Sequence, residues 1–328
     1  MIHEPKLLLD EMRPQAEEVL SVHGNPWCND LATDSNQTQA KEIRIAMIDT
    51  LASMLGFISL HFPEALNRVI GRLKNANEFL STLSELFLLF ALHPDNSSPK
   101  ICYVGYSLEY NPGTGSPDIT LKLDDCKTIG VEVTRPAWGE SPPDDDVQPV
   151  SKRIKEATKK ITAALYEKVG KFGSCDVRVI ALDISDFERN VFLDRGDFHL
   201  ETVLYGQAKF ALSENPVTGA AENVQAIRDA GELPNVEKGP DVGSFFAKHP
   251  EIGGVIFFSH TFRKVNVGRP HYECVVASRL YLNNSPSTPT ERRFPWDLAF
   301  MLANVMNGNN PFTAANLRRW GSRVSQRR

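Results

Sequence analysis

Between residues 100 and 185 the hydrophobic pattern changes its period several times, which limits the folds open to this chain more than any other feature. A strongly apolar helical stretch, 75–92, is followed by three short runs with β-type patterning, 101–110, 116–123 and 128–136. After a loop rich in Pro and Asp come a predicted helix, 150–171, and a continuous apolar run, 177–185. A continuous apolar run after a helix is typical of a buried parallel strand. The order of these elements predicts an α/β core with a mixed β-sheet flanked by helices.

The second and third β-type runs alternate so regularly that their pairing can be predicted. Their apolar residues occupy odd-numbered positions, namely Ile119, Leu121, Leu123, Ile129, Val131 and Val133. The even-numbered positions include Asp118 and Glu132. If the turn within Asp124–Thr128 has an odd number of loop residues, the apolar positions of both strands share one face. That register places Asp118 nearly opposite Glu132, on the face that carries the polar residues.

The rest of the chain divides into regions around this core. Helical spacing dominates before residue 75, and two more β-type runs occur at 253–262 and 272–282. The signals between 186 and 250 are weak, with one helix predicted near Ala220–Ala230, and a last helix is predicted near Trp296–Asn307. We therefore divide the chain into a helical N-terminal region (1–74), a core (75–185), an insertion with additional core strands (186–290), and a C-terminal helix with a basic tail (291–328).

Composition excludes several classes of protein. The 328 residues include 36 Lys and Arg against 41 Asp and Glu, a formal net charge of -5, which argues against a histone-like, wholly basic nucleic-acid binder. No apolar run reaches the roughly 20 residues that a membrane span needs. Acidic residues interrupt the N-terminus where a secretory signal would be apolar, so we expect a cytoplasmic protein. The five cysteines are scattered without a CxxC pair, which argues against a zinc site or a disulfide framework.

Two carboxylates on adjacent strands indicate a divalent-metal site. Mg²⁺ or Mn²⁺ prefers oxygen ligands and keeps several waters, so two or three carboxylates suffice when a phosphate completes the coordination shell. Asp118 and Glu132 fit this role. Glu85 is the predicted third ligand, because a carboxylate within an apolar helix is costly to bury unless it is paired or metal-bound. Glu78, one heptad earlier on the same side of that helix, is the second candidate.

With these residues in place, the sequence resembles the PD-(D/E)XK, or restriction-endonuclease-like, nuclease superfamily. The resemblance rests on Pro117-Asp118, on Glu132-Val133-Thr134, and on the order helix, three strands, helix, strand over residues 75–185. The chain is also similar to a bacterial branch in which an ELxxxxxL helix, here Glu85 to Leu92, precedes PD and VEVT strands. The resemblance implies a restriction-endonuclease-like core and a metal-dependent nuclease that hydrolyses phosphodiester bonds, in defence or mobile-element biology.

One position departs from the superfamily pattern. The motif lysine, which in the superfamily orients or helps to deprotonate the attacking water, would fall at position 134, where this chain has Thr134. Some relatives draw the basic group from the following helix. Here Lys168 falls on the apolar stripe of the 150–171 helix. Arg153 and Lys160 lie on either side of that stripe. The candidate catalytic residues are therefore Asp118, Glu132, Thr134, Lys168 and Lys160.

Nucleic acid, with DNA favoured over RNA, is the partner that this resemblance implies. Basic residues outnumber acidic ones by seven to two both in 151–171 and in 291–328. These segments are candidate phosphate tracks, and a tryptophan beside the basic residues could stack on a base. The candidate contacts are Arg153, Lys160, Arg318, Arg319 and Trp320. A homodimer is compatible with the resemblance, since restriction-type nucleases often dimerise to cut both strands, but the sequence carries no self-association signal.

Structural alternatives stay open for each of these residues. Asp118 after Pro117 is also typical of a turn, and Glu132 could form a salt bridge with Arg135 or with a helix lysine. Glu85 could belong to a structural ion pair, and the basic helix face could be solvated surface. The whole chain could be a catalytically inactive module of this fold that binds nucleic acid or a protein partner, with Thr134 as the reason. A serine hydrolase is not expected, because no GxSxG motif is present.

Overall fold

Four α-helices precede the strands in the part of the chain that the computed structural model describes, namely residues 5–23, 37–93, 106–136 without 114 and 126, 150–186, 198–229 without 206 and 215–220, 245–265 and 271–283. The helices are α1 (Pro5–His23), α2 (Gln37–His61), α3 (Leu66–Lys74), α4 (Phe79–Leu92), α5 (Val150–Lys168), α6 (Phe198–Tyr205) and α7 (Phe245–Lys248). The strands are β1 (Tyr106–Tyr110), β2 (Ile119–Leu123), β3 (Thr128–Thr134), β4 (Val177–Asp183), β5 (Gln207–Glu214), β6 (Ala221–Asp229), β7 (Gly254–Val265) and β8 (His271–Leu282). The predicted mixed α/β class is confirmed.

A mixed sheet with the strand order β1-β2-β3-β4-β7-β8 forms the centre of the structure. Strands β1, β2 and β3 are antiparallel neighbours, whereas β4 runs parallel to both β3 and β7. Helix α5 joins β3 to β4 and makes the parallel crossover that the sequence predicts. The run predicted at 253–262 joins the sheet as β7 and pairs with β8 in an antiparallel hairpin. Strands β5 and β6 form a separate two-stranded sheet.

The predicted register between β2 and β3 is confirmed. Ile119 pairs with Val131, and Lys122 pairs with Thr128. The Leu123 N–H donates to the Lys127 carbonyl at 2.9 Å, so an odd number of residues, three, lies between this pair. Continued by one residue, this register places Asp118 opposite Glu132.

Each face of the central sheet packs against its own group of helices. The odd-numbered apolar residues of β2 and β3 join α1 to α4 in one buried cluster. The other face packs against α5, α6 and α7, in a cluster that includes Ile180 of β4. Because Glu132 pairs with Ile180 in parallel register, its side chain lies on the α5 face. The alternation that buries the core therefore also sends Glu132 towards α5.

Helix α2 lies mostly inside the protein. Within the described residues, one stretch, Ala40–His61, is long and apolar enough to cross a membrane, but 72% of its most apolar 18-residue window is buried in the structure. Its Phe57 ring packs edge-on against Phe90 of α4, with 5.1 Å between the ring centroids. Burial of this kind is typical of a core helix.

Some predicted elements differ from the structure. The helix predicted near Ala220–Ala230 is wrong, because this segment is β6, in which Val224 pairs with Leu212 of β5. Cross-strand pairing outweighs a weak local helix preference here. The core helix begins at Phe79 instead of residue 75, after a turn in which the Asn77 N–H donates to Asn75 Oδ1. The helix predicted near Trp296–Asn307 and the basic tail lie outside the described residues.

Gly130 of β3 sits where the chain has no room for a side chain. A Cβ at this position would lie 2.8 Å from Cys175 Sγ and 2.9 Å from Pro117 Cγ. We expect Gly130→Ala to destabilise the protein by about 1–3 kcal/mol, because overpacking forces neighbouring groups to shift. Gly71→Ala in α3, where a Cβ meets nothing within 4 Å, should stabilise it by about 0.5–1 kcal/mol. Urea unfolding measures both changes, and a neutral Gly130→Ala would contradict the close contact.

Candidate active site

The site begins with Asp118, which lies directly before β2. The Asn111 N–H donates to the Asp118 carbonyl at 2.9 Å and closes the β1–β2 connection. On the other side, the Val133 N–H donates to the Asp118 Oδ2 atom at 2.9 Å. These two contacts fix the carboxylate against β3, next to Glu132. Asp118 therefore ends a turn, which was the structural alternative considered for it. It also faces Glu132, the second predicted carboxylate.

Glu132 and Lys168 form a largely buried ion pair across the sheet and α5. The Lys168 Nζ atom lies 3.2 Å from Glu132 Oε2, with the side chains 13% and 5% exposed. Lys168 is the last residue of α5, where the helix dipole also favours a cation. Lys168, the lysine predicted from the apolar stripe of the helix, thus contacts Glu132 of β3. Of the two salt bridges considered for Glu132, the one to a helix lysine is present.

Glu85 lies on α4 and is engaged by a cation and a hydroxyl. The Arg72 guanidinium of α3 donates to both carboxylate oxygens of Glu85 at 2.7 Å. The Tyr110 hydroxyl donates to Glu85 Oε2 at 3.0 Å, and Arg72 Nε donates to Glu78 Oε2 at 2.9 Å. The structural ion pair considered for Glu85 is therefore present. Both oxygens of the predicted third ligand already have a charged donor.

The three carboxylates lie close enough to influence one another. Burial raises the pKa of Asp118 to about 7, and the charges of Glu85 and Glu132 add to this increase. The Val133 N–H and Lys168 act in the opposite direction. Burial also raises the pKa of Glu132, although Lys168 offsets part of that increase. Negative charge is thus crowded around Asp118, where a cation would relieve it.

These residues fit a hard divalent cation of the Mg²⁺ type. Asp118 and Glu132 offer adjacent carboxylate oxygens, and Mg²⁺ in proteins often takes one or two carboxylates together with substrate phosphates and water. In the described ranges, no group of three or more His, Cys, Asp or Glu side chains is arranged for a metal ion. The donor set is therefore a pair, with Glu85 nearby but held by Arg72.

The other predicted site residues lie at different distances from this pair. Thr134 is two residues after Glu132 on β3, so both side chains lie on the same face. Lys160 lies two turns before Lys168 on α5, about 12 Å away along the helix axis. The geometry therefore favours Lys168 as the basic group. Arg153 belongs to α5, but its side chain lies outside the described part, as do Arg318, Arg319 and Trp320.

Asp183 and Ser185 at the end of β4 meet His260, which lies 75 positions after Ser185 in the sequence. His260 Nδ1 lies 3.0 Å from Ser185 Oγ and 3.5 Å from Asp183 Oδ2. In a catalytic triad the serine and the aspartate contact opposite nitrogens of the imidazole, whereas here both contact Nδ1. The serine, histidine and aspartate are therefore not arranged as in a catalytic triad.

Two groups of polar residues were not anticipated from the sequence. Arg72 and Tyr110 surround Glu85, and Arg135 joins Asp183 in a buried cluster instead of pairing with Glu132. Arg135 could have been suspected, because a cation directly after a buried strand needs a partner. Arg72 lies on a helix face with no periodic feature that separates it from other surface arginines.

Comparison of the chain with family models, with curated proteins and with solved structures found no match. The functional conclusion therefore depends on the geometry of the site.

Replacing Asp118 should stabilise the metal-free protein at alkaline pH. The pKa of Asp118 is about 7 in the folded protein against an ordinary value of 3.8, so the folded state binds the proton more tightly. Stability is consequently lost as the pH rises towards and through 7. With EDTA present, we expect Asp118→Asn to gain roughly 1–2 kcal/mol at pH 8 and less at pH 5. Urea unfolding at both pH values measures this gain, with the exposed Asp124→Asn as control. A gain in stability that did not depend on pH would contradict the prediction.

Removing Arg72 should leave Glu85 as an uncompensated buried charge. We expect Arg72→Met to destabilise the protein by about 3–5 kcal/mol and Glu85→Gln to recover part of this loss in the double variant. Arg68→Met, one turn earlier on α3, removes a hydrogen bond to the Pro112 carbonyl and should cost about 1 kcal/mol. Equal losses for the two arginine variants in denaturant unfolding would contradict the role of the ion pair.

Proposed function

We propose that this protein is a divalent-metal-dependent nuclease with a restriction-endonuclease-like, PD-(D/E)XK core. The observation that carries the proposal is the meeting of Asp118, Glu132 and Lys168. The first two face each other through the β2–β3 register, and Lys168 Nζ lies 3.2 Å from Glu132. Paired carboxylates beside a lysine are suited to phosphodiester hydrolysis, in which negative charge develops on the phosphate.

The element order supports the same proposal. Helix α4 is followed by the antiparallel β1, β2 and β3, and then by α5 and the parallel β4. This is the order that the resemblance implies for residues 75–185. The two carboxylates and the lysine come from β2, β3 and α5, within that segment. A cytoplasmic location, a nucleic-acid substrate with DNA favoured over RNA, and a role in defence or mobile-element biology belong to the proposal.

Each residue of the candidate site has a definite task in this scheme. Asp118 and Glu132 would hold the Mg²⁺ or Mn²⁺, and Val133 keeps Asp118 in place through its N–H. The metal ion, when bound, would polarise the scissile phosphate and acidify a water. Lys168 supplies the positive charge that Thr134 lacks. This charge can orient that water and stabilise negative charge on the phosphate. Thr134 can contribute a hydroxyl on the same face but no charge.

A second candidate is a catalytically inactive module of the same fold that binds nucleic acid or a protein partner. Two observations favour it. Thr134 stands in place of the motif lysine, and both oxygens of Glu85 are bound by Arg72. Such a module would bind its partner without a metal ion and would be indifferent to replacement of Asp118.

A cleavage assay separates the two candidates. Plasmid DNA, single-stranded DNA and RNA are incubated with the purified protein and with Mg²⁺, Mn²⁺ or EDTA. We expect metal-dependent cleavage that falls at least about 100-fold in Asp118→Asn, Glu132→Gln and Lys168→Met, in the range by which general acid–base groups contribute. Lys127→Met, an exposed lysine at the end of β2 and β3 opposite Asp118 and Glu132, is the control and should retain activity. Circular dichroism confirms that each variant is folded.

The outcomes are distinct. Cleavage that persists in Asp118→Asn and Glu132→Gln would overturn the assigned site. If no substrate is cut but fluorescence anisotropy shows metal-independent binding of DNA or RNA, the inactive module is supported and the nuclease proposal fails.

A further inference from the structure

A buried polar cluster lies at the carboxyl end of β4, next to the candidate active site. We call it the Asp183 cluster, and it consists of Ser84, Arg135, Asp183, Ser185 and His260. Asp183 is 0% exposed. Its carboxylate accepts the Ser84 hydroxyl at 2.5 Å and the Ser185 N–H at 2.9 Å, and Arg135 Nη1 lies 3.4 Å away. A buried carboxylate with this many donors is held in one orientation.

The proton positions in the cluster follow from its geometry. The Ser185 hydroxyl donates to Asp183, so its oxygen is left to accept from the His260 backbone N–H at 2.9 Å. His260 Nδ1 faces this oxygen and Asp183 Oδ2, both acceptors, and therefore carries its proton. The His260 ring also stacks on Phe87 of α4 at 4.2 Å between centroids. The cluster thus joins β4 and β7 to α4 by polar and aromatic contacts.

Two members of the cluster are direct sequence neighbours of candidate active-site residues. Ser84 directly precedes Glu85 on α4. Arg135 directly follows Thr134, and its guanidinium also forms a two-bonded ion pair with Asp186 at 2.7 and 2.9 Å. Asp183 therefore receives one bond from the helix that carries Glu85 and another from the residue directly after the strand that carries Glu132.

We propose that Ser84 and Arg135 are positioning residues of the candidate active site, acting through Asp183 to set the spacing between α4 and the end of β3. This inference rests on the proposed function, since it assigns the spacing a role in metal binding. Through these links the cluster holds Glu85, with its Arg72 partner, close enough to Asp118 and Glu132 for its charge to act on the pair that would bind the metal. Groups that orient metal ligands without touching the ion commonly change affinity by 10- to 100-fold when removed.

Ser84→Ala tests this proposal, because it removes one hydroxyl and no charge. Ser81→Ala is the matched control, since Ser81 lies on the same helix and its hydroxyl donates only to the Glu78 carbonyl among the contacts described for it. Ser84→Thr keeps the hydroxyl. Mn²⁺ affinity is measured by electron paramagnetic resonance of the free ion, and kcat and KM are measured with the substrate that the wild type cuts.

We expect Ser84→Ala to bind Mn²⁺ about tenfold more weakly and to lose kcat with little change in KM, because Ser84 is 0% exposed. Ser84→Thr should recover most of the affinity, and Ser81→Ala should match the wild type. If Ser84→Ala does not fold, Ser84→Cys, similar in size and a weaker donor, carries the same expectation.

Failure of the inference differs from failure of the proposed function. A folded Ser84→Ala that binds Mn²⁺ and cuts as well as Ser81→Ala would overturn the positioning role while leaving the nuclease intact. A wild-type protein that neither binds Mn²⁺ nor cuts any substrate would overturn both.

Discussion

The balance of charge around three carboxylates, of which Glu85 and Glu132 are buried and Asp118 is half-buried, governs how this structure can work. Glu85 is neutralised from α3 by Arg72, and Glu132 is neutralised from α5 by Lys168. Asp118 receives only a neutral backbone N–H from Val133 as a direct partner, and burial together with the charges of Glu85 and Glu132 raises its pKa to about 7. In the folded protein without a cation, the Asp118 carboxylate is therefore repelled by the charges of Glu85 and Glu132. Natural proteins often accept such a loss of stability where a site must bind a charged ligand.

Local periodicity explains what the sequence could predict. The two-residue alternation of β2 and β3 determines which residues share a face, and with an odd-numbered turn it also determines that Asp118 faces Glu132. Helical spacing places Lys168 on the buried stripe of α5, from which it reaches Glu132. Both features depend on residues close together in the chain, which is why they can be read without a structure.

The features that were missed depend on contacts between distant segments. Arg72 and Glu85 lie on separate helices, and Ser84 meets Asp183 across 99 positions of the chain. Such pairs of polar side chains leave no periodic pattern, so the sequence shows the residues but not their partners. The strand β6 was missed for a related reason, since its pairing with β5 decides its conformation more than its own residues do.

The path of the chain between β4 and β7 has a further consequence. These strands are neighbours in the sheet, yet α6, the β5–β6 pair and α7 intervene between them in the sequence. Glu85, Asp118, Glu132 and Lys168 all precede this excursion. Because each doubling of a connection's length costs only about 0.6 kcal/mol in closure entropy, the segment can grow or shrink in evolution at little energetic expense. The residues of the candidate site therefore lie in a segment of the chain separate from a region in which new surfaces can be added without disturbing the paired carboxylates.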